Sequence, residues 1–151
     1  MKKMLITLLC CMILTACGTG TPEPAIPNQP DKVVIIYSGN DNADGFCTTE
    51  VPVEEVNMNV LVEELIKVGV LTEDIGIGAM KIDGTCLHLT FTPSFADLLR
   101  SQGTAGEYIL MGSIVNTFLD AFEAETILID TGNGILESGH VIYDFPMTRF
   151  E

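Results

Sequence analysis

The sequence predicts an α+β domain: a small, mostly antiparallel sheet with two main helices packed on one face. Three observations carry that prediction. Short β-branched or alternating apolar runs, such as 33–37 and 87–91, have the length and composition of strands. Two longer segments, 58–66 and 111–122, repeat apolar residues at helical spacing. Turn-forming clusters, Asn40–Gly45, Asp83-Gly84 and Gly132-Asn133-Gly134, separate these runs. The expected order is strand, helix, strand hairpin, helix, strand hairpin, with no internal repeat.

Val33-Val34-Ile35-Ile36-Tyr37 predicts a buried strand that ends at Ser38-Gly39. Thr48–Val53 is extended, either as a short second strand or as the lead into a helix. Met58, Leu61, Val62, Leu65 and Ile66 share one helix face, Gly69 ends that helix, and Glu63, Glu64 and Lys67 take the wet side. Ala79–Phe91 predicts a hairpin about an Asp83-Gly84 turn. In its second strand Leu87, Leu89 and Phe91 alternate with His88 and Thr90. Ser94–Arg100 predicts a short helix with Ser94 as N-cap and Asp97 three residues on. A longer helix, about Ala105 to Phe122, lines one face with Met111, Ile114, Val115, Phe118, Leu119 and Phe122. Its opposite face carries Ser113, Asn116, Thr117 and Asp120, the candidate interaction face of the domain. Asn116 has a second reading, as an amide that hydrogen-bonds a nearby loop and locks it. Thr126–Ile129 and Val141–Tyr143 are the last strands, and Glu123 and Glu125 are solvated.

Residues 1–16 have the layout of a secretory signal: Lys2 and Lys3, an apolar core from Met4 to Leu14, and a small residue at the cut. That core is too short to span a bilayer comfortably. Leu14-Thr15-Ala16-Cys17 resembles the lipobox of bacterial lipoproteins. The resemblance implies removal of Met1–Ala16 and a diacylglycerol thioether on Cys17, whose sulfur is the nucleophile that accepts the lipid. Residues 17–32, rich in proline, form the tether that lifts residues 33–151 off the membrane. The expected location is the extracytoplasmic face of the cell membrane, each buried methylene contributing roughly 0.8 kcal/mol to the anchor.

The whole chain has a formal charge of −14. Loss of Lys2 and Lys3 leaves five basic residues against 21 acidic ones, a net charge of −16. Such a chain does not seek nucleic acid or anionic headgroups, and prefers basic partners or cations. Cys10 and Cys11 leave with the signal and Cys17 is lipidated. Cys47 and Cys86 then remain, as a disulfide that would stabilise the fold by ~4 kcal/mol or as two thiols; spacing leaves both readings open.

The segments VIIYSGNDNADGFCTTEV (34–51), KIDGTCLHLTFTPSF (81–95), GSIVNTFL (112–119) and ESGH (137–140) resemble the GerMN domain. This domain occurs in sporulation and spore-germination proteins and in envelope lipoproteins. The resemblance covers about Val33 to Thr148, and Ser113–Thr117 is its most specific part. It implies a compact βαββαβ-type domain, similar to the ring-building modules of sporulation secretion-like complexes. It implies no known enzymatic reaction. The chain departs from the best-understood member in carrying one such domain rather than a tandem pair.

Residue constellations point the same way. Counted from Asn40, a calcium loop would require a bidentate Glu at its twelfth position, where Val51 stands. His88 and His140 lack metal-ligand spacing, so no metal site and no cofactor are expected. No Gly-x-Ser-x-Gly elbow and no phosphate-binding Gly-rich loop occurs. The expected function is therefore a non-catalytic assembly domain that contacts envelope proteins. The competing expectation is a binder of peptidoglycan, weakened by the absence of Trp for stacking on sugars.

Overall fold

The computed structural model describes residues 32–151. The signal, Cys17 and most of the tether lie outside the described residues. Strand β1, Lys32–Gly39, and strand β2, Phe46–Val53, form an antiparallel pair in which Lys32 opposes Val53 and Gly39 opposes Phe46. The β1 run is not buried throughout. Val34 and Ile36 enter the core, whereas Val33 is 57% exposed, so the strand has one covered face. The link between β1 and β2 is the polar turn expected of Asn40–Gly45. The Asn40 side chain donates to Asp44 Oδ1 (2.8 Å), and the Asn40 N–H donates to the Gly45 carbonyl (2.9 Å).

Helix α1, Met58–Lys67, buries Leu61, Val62 and Leu65, as their spacing requires. Asn57 caps it by accepting from the N–H groups of Asn59 and Val60, both at 3.1 Å. Gly69, at φ +79°, closes it: its N–H reaches Ile66 O, and that of Val70 reaches Leu65 O. Strands β3, Ile77–Asp83, and β4, Cys86–Phe91, form the expected hairpin. Its turn lies one residue later than the Asp83-Gly84 signal placed it. Asp83 opposes Cys86, so Gly84 and Thr85 are the central pair, and Gly84 at φ +63° takes the position that favours glycine. Leu87, Leu89 and Phe91 are buried in strict alternation with His88 and Thr90.

Helix α2, Ser94–Arg100, begins after Pro93, which occupies the N-cap. Ser94 is not the cap: its hydroxyl donates to Asp74 O (2.9 Å), tying α2 to the loop before β3. Helix α3, Thr104–Phe122, follows and leads to strand β5, Thr126–Asp130. The two helices form the crossover that lets β5 pair parallel to β4. The sheet is thus divided in two, β1-β2 and β3-β4-β5, antiparallel except at β4–β5.

Val141–Tyr143 does not form a hairpin with β5. It folds back locally, Tyr143 N–H to Leu136 O and Ser138 N–H to Val141 O, while Met147 takes the free edge of β5 through two bonds with Ile127. Every residue from Leu110 to Leu119 is buried. Helix α3 packs on β1, β5 and α1. Its two sequence faces are both internal, because Ser113, Asn116 and Thr117 are small or amide side chains that the surrounding backbone can satisfy or enclose.

Candidate functional site

The polar row on α3, read as an interaction face, is a clamp inside the domain. Asn116 is 1% exposed. Its Nδ2 donates to Phe150 O (3.0 Å) and its Oδ1 accepts from Phe150 N–H (2.9 Å), as a neighbouring strand would. Thr117 Oγ1 accepts the Tyr37 N–H of β1 (3.0 Å). One turn on, Asp120 accepts from the Tyr37 hydroxyl (2.7 Å) and pairs with Arg149, whose guanidinium also donates to Tyr37 Oη (2.9 Å). Burial, then the bond to Asp120, raises the Tyr37 hydroxyl above its usual range, and the bond to Asp120 raises Arg149. Ser113 is fully buried and its hydroxyl has no partner. The expected contact edge on these residues is therefore directed at β1 and at residues 149–150 of the same chain.

The two cysteines are not bonded. Both Cys47 and Cys86 are free thiols, on strands of different sheets. Cys47 Sγ lies 3.1 Å from Ser38 Oγ across the β1–β2 pair.

The clamp holds the segment after β5 against the first turns of α3 and leaves a cavity of about 490 Å³ between them. Its lining is mostly apolar and aromatic: Tyr108, Val141, Tyr143, Phe145, Pro146 and Phe150 all contribute. Tyr108 packs between Phe46 and Phe150, with ring centres 5.5 Å from each. Gly112 permits this packing, since a Cβ there would meet Phe46 Cζ at 2.2 Å.

Glu107 stands in the cavity wall and is only 3% exposed. Its Oε1 accepts from Ser138 Oγ and from Tyr143 Oη, both at 2.6 Å. Its Oε2 has no partner. Burial, followed by the bond to Glu107 and by its charge, pushes the Tyr143 hydroxyl far above its usual range. Ser138 Oγ also accepts from the N–H groups of His140 (3.0 Å) and Val141 (2.9 Å), so Glu107 fixes the 138–143 turn through one hydroxyl. His140 lines the cavity mouth.

Sequence reasoning missed Glu107, although a signal was present. The acid lies one turn from the start of α3 and three residues before Leu110, on a side that the apolar stripe makes internal. Among the described residues no three His, Cys, Asp or Glu side chains cluster to hold a metal ion, and no helix is long and apolar enough to cross a membrane.

The fold and the clamp define a mixed α+β domain with an open apolar cavity. Its fold is similar to that of the tandem GerMN domains of the sporulation protein GerM from Bacillus subtilis, with a TM-score of 0.53 at 16% sequence identity. The match covers 78% of this chain but 44% of the solved one, so the chain spans less than half of that protein's length. No protein-family model and no curated protein matches the chain.

Proposed function

We propose that the chain is an envelope lipoprotein whose single GerMN domain is a non-catalytic interaction module, working in sporulation or spore germination. The observation that carries the interaction role is the cavity rim. Tyr108, Val141 and Phe145 are large apolar side chains exposed together on a chain whose net charge is −14. Apolar clusters of this kind mark surfaces that another protein covers. The process is inferred from the fold likeness to the sporulation protein GerM. The anchor is inferred from the lipobox-like Leu14–Cys17.

In-cell crosslinking of the lipidated chain, with mass spectrometry of the adducts, tests this reading. Reproducible envelope or sporulation components are the expected result. Recovery of the bare monomer overturns it and moves the reading to a wall ligand, with co-sedimentation on purified peptidoglycan as the deciding assay.

A further inference from the structure

The cavity between α3 and the segment after β5 has a chemical asymmetry that specifies its occupant. A carboxylate that is shut from water is costly unless its oxygens are paired. Glu107 has both its donors on Oε1, and Oε2 is left with none. The nearest cationic side chain in the lining, Arg149, is occupied by Asp120 and Tyr37. The remaining walls are aromatic rings, whose faces attract cations, and methylene-compatible apolar groups. Glu137, Asp144 and Glu151, all exposed, lie on the same segment and make it acidic.

We propose that this cavity receives a lysine or arginine side chain presented by an apolar segment of a partner protein. The alkyl stem would lie against Tyr108 and Phe145, with the cationic head over the aromatic rings and drawn by the Glu107 carboxylate. A protein segment fits better than a free amine because a cavity of about 490 Å³, with Tyr108, Val141 and Phe145 partly exposed in its lining, is larger than a small cation would fill. A second copy of the chain is disfavoured by the repulsion of two bodies of charge −14. This inference rests on the interaction-module reading, but its test probes the cavity alone, so either can fail without the other.

The chain has no Trp and three Tyr, of which Tyr108 and Tyr143 line the cavity, so tyrosine emission reports on its occupancy. The full chain, held in a nanodisc of neutral lipid, is titrated with acetyl-Leu-Lys-Leu-amide and with the same peptide carrying norleucine for lysine. The lysine peptide is expected to bind about tenfold more tightly, the advantage of a desolvated cation over an alkyl chain of the same carbon number. Glu107→Gln removes the charge and should abolish that advantage. Phe145→Ala, at a 47% exposed position where folding is not at stake, should reduce it and decides the matter if the Gln variant does not fold. Equal affinity for the two peptides overturns the proposal. So does a lysine preference that survives both substitutions, which would belong to the acidic surface at large. If n-butylammonium alone reproduces the full affinity, the cavity is a small-cation site and the partner segment is refuted.

Discussion

Asn116 and Tyr143 both help to hold residues 136–150, and each makes a prediction. Asn116→Ala deletes both bonds to Phe150 and leaves a partly buried backbone pair unsatisfied. The expected loss is about 1–3 kcal/mol of stability, read from the denaturant midpoint at constant slope. No change would mean that the Phe150 backbone finds other partners. Tyr143 predicts an alkaline effect. Its hydroxyl ionises less readily in the folded chain than in the unfolded one, so the folded state holds the proton longer. The resulting stability is full below the ordinary tyrosine value of 10.0 and is lost as pH climbs beyond it. Tyr37 acts in the same direction. Tyr143→Phe should therefore flatten the fall in melting temperature above that pH without removing it, whereas an unaltered profile would contradict the burial of the hydroxyl and its bond to Glu107.

Helix α3 sets two elementary effects against each other at Gly112. Helix propensity alone favours Gly112→Ala by about 1 kcal/mol. The added Cβ, however, would meet Phe46 Cζ at 2.2 Å and Phe150 Cβ at 3.1 Å, with the Phe46 ring already packed against Tyr108. Overpacking of this kind costs about 1–3 kcal/mol, so the substitution should destabilise the domain. A gain in melting temperature would show that Phe46 moves aside freely. Local elements such as α1 and β4 were legible because their apolar residues repeat at the period of the element itself, Leu61-Val62-Leu65 in one and Leu87-Leu89-Phe91 in the other. Errors arose where a distant partner decides. Ser94 has the chemistry of a cap but is drawn to the Asp74 carbonyl, and the polar row of α3 is internal because β1 and residue 150 lie against it. Val141–Tyr143 has strand composition, yet Met147 rather than this run takes the β5 edge. The position of Glu107 on the apolar stripe of α3 marks it as internal, but nothing local tells what it would pair with. Its role comes from Ser138 and Tyr143, more than thirty residues away.

At the scale of the whole molecule, the proposal is an acidic domain, tethered to the membrane, that meets a basic partner there. The anchoring half of that account rests on Cys17. Cys17→Ser should move the chain out of the membrane fraction after cell lysis, and its retention there would refute a lipid anchor at that residue. The interaction half rests on the rim of the cavity, where Phe145 is exposed and Asp83, on the β3–β4 turn, serves as a site outside the lining. The most direct measurement places a photo-crosslinking residue at 145 or at 83 in the lipidated chain within the cell and identifies the adducts. The account predicts a defined envelope protein joined at a lysine- or arginine-bearing apolar segment from position 145, and little from position 83. Equal adducts from both positions, or none from 145, would contradict it.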